Sequence, residues 1–144
     1  MTSPNRPAVD FSLLLIRLVV GVIFMAHGSQ KLFGAFDGAG LSKTVDMMGP
    51  IGYLVTIGEF FGGLGLVVGF LCRFSALSLI VIMIGAISHV HGRNGFFISS
   101  AGVGTEYNIA LIGLLAPILL CGPGRFATGR LLPLDRLSVR RILE

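Results

Sequence analysis

Apolar residues gather into four long blocks along the chain, at about 11–33, 51–71, 74–92 and 106–122, separated by shorter stretches rich in glycine and polar residues. Each block approaches or reaches the ~20 residues that cross ~30 Å of hydrocarbon as helix. None alternates polar and apolar residues as a barrel strand does. The pattern predicts an all-α, polytopic membrane protein: a four-transmembrane-helix bundle forming a single domain over residues 1–144, with an arginine-rich tail from 123 to 144. The first block follows Arg6, as the apolar part of a cleaved signal peptide would. It is long, contains Arg17 and is followed by no small-x-small cleavage site, so it is read as a span. Between the first two blocks, "GAFDGAGLSKTVDMMGP" repeats Leu41, Val45 and Met48 at helical spacing and predicts a short interfacial helix in the first outer loop.

Small residues mark a face on each span. In the second, Gly58, Gly62, Gly65 and Gly69 advance by four, three and four, a narrow stripe on a 3.6-residue helix along which another backbone can approach closely. Gly63 lies ~100° from Gly62 and off that stripe, so it is expected to tolerate a larger side chain better. The corresponding faces are Arg17, Gly21, Phe24, Gly28 and Lys31 in the first span, Ser75, Ser78, Ile82, Gly85 and His89 in the third, and Glu106, Ala110, Gly113 and Pro117 in the fourth.

Composition agrees with the pattern: 12% of the residues are charged and 53% hydrophobic, whereas an ordinary soluble domain carries about 25% charged residues. The basic residues give an orientation. With four spans, one side holds Arg6, Arg73, Arg125, Arg130, Arg136, Arg140 and Arg141, and the other holds Lys31, Lys43 and Arg93. Positive loops stay inside, so both termini are expected in the cytoplasm. The basic tail then meets anionic lipid headgroups rather than nucleic acid. Cys72 and Cys121 fall at the cytoplasmic ends of spans and form no C-x-x-C, which argues against disulfide exchange.

Against this apolar background the polar residues stand out. Glu59 sits in "IGEFFGGLGLVVG", about 12 Å into the second span, where a carboxylate needs a partner or a proton. Arg17 is the cation within the first span, and two readings stay open: an Arg17–Glu59 pair that fixes packing, or an acid that handles protons or grips a ligand. A second group gathers toward the outer end: His27 and Lys31, His89 and His91, then Glu106, Tyr107 and Asn108. His89 and Glu106 lie on small-residue faces and are expected to point at other helices; His91, ~200° round from His89, is not. That divergence also opposes a metal site, and a haem between His27 and His89 is not expected.

The order "IRLVVGVIFMAHGSQKLFG", "IGEFFGGLGLVVG", "HGRNGFF" and "GTEYNIALIGLLAPILLCGPG" resembles the DoxX family of small bacterial and archaeal membrane proteins over residues 12–124, which implies a place in the cytoplasmic (inner) membrane. The matching positions are Arg17, His27, Gly28, Lys31, Glu59, Gly95, Phe96, Phe97, Glu106, Tyr107 and Gly122-Pro123-Gly124, with a longer spacer, "ISSAGVG", before the Glu-Tyr pair. The resemblance implies a four-helix membrane bundle and membership of a quinone-linked oxidoreductase complex tied to thiosulfate, sulfur or oxidative-stress chemistry. On that expectation Glu59 and His89 exchange protons, while Arg17, His27, Lys31, Glu106 and Tyr107 bind the ligand. A quinone is the expected cofactor, a redox or thiol-related protein the expected partner, and a homodimer one expected assembly. Two other classes fit the same residues: a proton-coupled transporter of small solutes, and a non-catalytic membrane scaffold.

Overall fold

The computed structural model describes residues 6–99 and 102–131. Five α-helices follow in order: α1 (Arg6–Leu32), α2 (Gly40–Met48), α3 (Ile51–Val68), α4 (Cys72–His89) and α5 (Thr105–Cys121), with single 3₁₀ turns at His91–Asn94 and Thr128–Leu131. Helices α1, α3 and α4 are long and apolar enough to cross a membrane. The 17 residues of α5 extend about 25 Å, at the lower limit for a span. Each apolar block has thus become one helix, and α2 is the short helix expected between the first two. Helix α3 stops where Gly69 takes a left-handed φ of 84° and its N–H returns to the Gly65 carbonyl. Leu71 is also left-handed, so three residues reverse the chain into α4.

Helices α1 and α3 run antiparallel at backbone contact. A Cβ added to Gly63 would stand 2.6 Å from the Gly21 carbonyl oxygen and 2.7 Å from the Met25 nitrogen, and one added to Gly28 would stand 2.5 Å from the Phe60 nitrogen. The stripe of Gly58, Gly62 and Gly65 does pack, against the side chains of Ile82, Leu79 and Ser75 on α4. Gly63 corrects the sequence reading: expected to be the tolerant position, it sits in the tighter contact. The reason is that α3 has neighbours on two sides, so its glycines serve two faces, and a single stripe accounts for one of them.

The core comprises Val20, Phe24, Leu66, Leu79, Leu111, Leu115 and Ile118, among others. Helix α1 buries Arg17, Gly21, Phe24 and Gly28 as its stripe predicts. The fourth-span stripe does not behave this way. Ala110 and Gly113 are exposed, a Cβ on Gly113 or Gly85 would meet nothing within 4 Å, and α5 buries Asn108, Leu111, Leu115 and Ile118 instead. Lipid is as apolar as a core, so hydropathy does not separate the two faces and small size alone is a weak guide. Helix α2 seats its buried Thr44 on the start of α3, where a Cβ on Gly52 would lie 3.1 Å from the Thr44 carbonyl oxygen.

At the end of the bundle where α3 finishes, Arg17 is 1% exposed. Its Nε donates to the Leu66 carbonyl at 3.0 Å, its Nη1 to Pro123 at 2.7 Å, and both terminal nitrogens approach the Phe126 carbonyl at 3.4 Å. Leu66 contributes one of the last four carbonyls of α3, which lack helical donors and carry the negative end of its dipole. The Arg17–Glu59 pair, one of the two readings of the sequence, is therefore not formed, because the antiparallel register sets Arg17 beside the end of α3, two turns beyond Glu59. Residues 122–131 fold over this end, held by Thr128 Oγ1 donating to the Val68 carbonyl at 3.0 Å and by the Arg125 N–H donating to Asp10 Oδ1 at 2.9 Å. The first part of the expected tail is thus packed on the bundle; Arg136, Arg140 and Arg141 lie outside the described residues.

Candidate functional site

Glu59 is 4% exposed, and the cation that meets it is Lys31, whose Nζ donates to Glu59 Oε2. This is the one ion pair among the described residues. The register explains the choice. Gly28 lies against Phe60 and Met25 against Gly63, so Lys31, one turn beyond Gly28, comes level with Thr56 and Glu59. The side chain of Glu59 is 5% exposed and that of Lys31 28%. The acid is thus enclosed while its partner keeps a route to the surface, as a long amphipathic side chain can. Thr56, one turn before Glu59 on the same face, is 0% exposed, and its Oγ1 is a buried side-chain polar atom with no hydrogen-bond partner.

His27 and Tyr107 meet at the same end, across the seam between α1 and α5. The Tyr107 hydroxyl is 3.5 Å from His27 Nε2, and the rings stand edge to face with centroids 6.2 Å apart. Tyr107 also lies within electrostatic reach of the Glu59 carboxylate. Four of the residues picked out in the sequence, Lys31, Glu59, His27 and Tyr107, are therefore gathered at one end of the bundle.

The two remaining histidines exchange their expected positions. His89 is exposed and its Nδ1 is 3.0 Å from the Gly85 carbonyl of its own helix, so it does not face the other spans. His91 Nδ1 is 2.7 Å from Asn108 Oδ1, and Asn108, 1% exposed, donates through Nδ2 to Met83 Sδ at 3.3 Å. The ~200° argument fails because α4 ends at His89 and the following 3₁₀ turn carries His91 back over the bundle. Asn108 was legible as a polar residue in an apolar block, but its burial depended on that turn.

Glu106 serves the loop before α5. Its Oε1 accepts the Ile98 N–H at 2.7 Å, while the Glu106 and Thr105 N–H groups donate to the Phe96 and Gly95 carbonyls at 3.0 and 3.1 Å. The spacer that sets this chain apart closes on itself through paired Ser99 and Gly102 backbones. Phe96 and Phe97 are exposed and pack edge to face, suited to headgroup depth. Between α3 and α4 runs a groove of about 480 Å³ with no titratable group in its lining, which includes Ile57, Phe61, Leu64 and Phe74; its surface suits hydrocarbon.

Together the spans and the enclosed ion pair define a multi-pass integral membrane protein with a polar site at one end of a helical bundle. The chain belongs to the DoxX family, whose model matches residues 12–92, the first three spans. It is similar to the inner membrane protein YqjF of Escherichia coli K12, at 28% identity over 85% of this chain and 93% of that protein. It is also similar to the uncharacterized membrane protein Rv3486 of Mycobacterium tuberculosis H37Rv, at 29% identity over 90% of this chain and 83% of that one. No solved structure gives a significant match.

Proposed function

We propose that this chain is a membrane subunit of a quinone-linked oxidoreductase complex, with Glu59 as its proton-exchanging group. The observation that carries the reading is the Lys31–Glu59 pair, an enclosed carboxylate held by a cation that is itself partly open. A quinone presents two carbonyl oxygens that accept hydrogen bonds and become basic on reduction. The residues around the α1–α5 seam fit that need: Lys31 retains two N–H donors beyond the one given to Glu59, and the Tyr107 hydroxyl and His27 ring stand alongside.

When electrons from the partner make a bound quinone oxygen basic, the Glu59 carboxylate takes up a proton from water and passes it to that oxygen, returning to the ionised form that Lys31 balances. The outward position of His89 removes it from this exchange, and the carbonyl contacts of Arg17 give that residue a holding role at the far end. The bundle supplies binding, charge and proton exchange, and the electrons come from a redox or thiol-related partner. The orientation proposed is the one the basic residues favour, with both termini cytoplasmic and the Lys31–Glu59 site toward the outer leaflet.

The test is Glu59→Gln in the complex recovered from native membranes. The amide keeps the shape and can still accept from Lys31, so the expected result is a folded complex with intact partners and quinone-dependent turnover reduced at least tenfold. Unchanged turnover refutes the assignment. Recovery of a partner with no redox activity, or a flux driven by a proton gradient, would favour the scaffold or the transporter instead.

A further inference from the structure

Thr56 has no role in the site so far. Its hydroxyl is enclosed, and in the middle of an apolar helix an unpartnered polar group is costly. A threonine in a helix has a simple remedy, donation to the carbonyl four residues back. Four other hydroxyls of this chain use it: Ser12 to Ala8, Ser29 to Met25, Thr44 to Gly40 and Ser88 to Ile84, at 2.7 to 2.9 Å. Thr56 makes no such bond to Gly52. Its face is the one that carries Glu59 and Gly63 toward α1, at the level of Lys31. The register of α1 against α3 therefore sets an enclosed hydroxyl and a carboxylate bonded through one oxygen, one turn apart on α3, at the level of an ammonium with donors to spare.

We propose that Thr56, Lys31 and Glu59 form a three-point binding site for one water molecule. Such a water accepts from Lys31 Nζ, donates to the Glu59 carboxylate and bonds to Thr56 Oγ1, the roughly three partners usual for a buried water. It completes the hydrogen bonding of Thr56 and keeps the ion pair hydrated inside the bundle, so that Glu59 exchanges its proton while Lys31 stays in place. The use of that water rests on the reading of Glu59 as a proton-exchanging group; its presence does not, and the test below needs no turnover.

The measurement is infrared difference spectroscopy of the intact protein in lipid across a pH change, in ordinary water and in water enriched in oxygen-18. The charged and titratable groups at this end of the helices include Lys31 and His27 on α1 and Tyr107 on α5, with Lys43 and Asp46 on α2, Tyr53 on α3 and His89 on α4 exposed. The expected result is a water O–H band that shifts with oxygen-18, persists in Thr56→Ser and is lost in Thr56→Val. Thermal unfolding adds a sign: Thr56→Val should unfold several degrees below the parent and Thr56→Ser close to it. A parent spectrum with no oxygen-18-sensitive band, or a Thr56→Val protein as stable as the parent or more so, overturns the proposal, because in a dry site valine merely relieves an unpaired hydroxyl. Should Thr56→Val fail to fold, the parent band decides by its presence or absence.

Discussion

Removing the two partners of the Lys31–Glu59 pair should have unequal costs, because one is enclosed and the other is not. In Glu59→Leu the ammonium of Lys31, on a side chain 28% exposed, can turn to the headgroups, so the expected loss is about 1 kcal/mol or less. In Lys31→Leu the carboxylate, on a side chain 5% exposed, is stranded. Breaking a buried pair in this way costs roughly 3–5 kcal/mol, so Lys31→Leu should be clearly the more damaging of the two single changes. The double variant Lys31→Leu/Glu59→Leu should return to within about 1 kcal/mol of the parent. Unfolding in bicelles, with each variant compared with the parent, measures all of these. Equal losses for the two single variants would refute the argument that the burial of Glu59 governs the energetics.

At the α1–α3 contact, Gly63→Leu should abolish the folded bundle where Gly62→Leu weakens it and Gly113→Leu is tolerated. The first meets backbone at 2.6 Å, the second a movable Leu79 side chain at 3.1 Å and the third open space; thermal aggregation in detergent ranks them. Arg17→Lys keeps the charge but gives up a fork that reaches three carbonyls. It should cost roughly 2–4 kcal/mol and make residues 122–131 susceptible to protease in inside-out vesicles. For orientation, an impermeant thiol reagent should leave the exposed Cys121 unlabelled in intact cells and label it once the membrane is opened. A cysteine replacing the exposed Ser42 of α2 should be labelled from outside, and reversed labelling would invert the proposed topology.

Hydropathy and periodicity were enough for the class and the elements. Four apolar blocks of near-membrane length became four helices because hydrocarbon leaves the backbone no other local partners, and the repeat of Leu41, Val45 and Met48 placed α2. Hydropathy also singled out Lys31, Glu59, His27 and Tyr107 as polar residues in the wrong solvent, four residues that the fold brings to one end. The pairing among them was not legible. Arg17 and Lys31 lie on one face of α1, four turns apart; Arg17 was the partner read for Glu59, and the register of α1 against α3 brings Lys31 to it instead. That register is fixed by Gly21, Gly28 and Gly63 meeting backbone, a contact between distant segments that helical periodicity does not encode. For the same reason the face of α5 was misassigned, and the α4 face held at Ser75 and Ile82 but not at Gly85 and His89: in lipid both sides of a helix are apolar, and the neighbour, not the pattern, decides which is core. His91 and His89 changed places because periodicity ends where the helix does, and the turn that follows is decided by the loop's own backbone bonds to the start of α5.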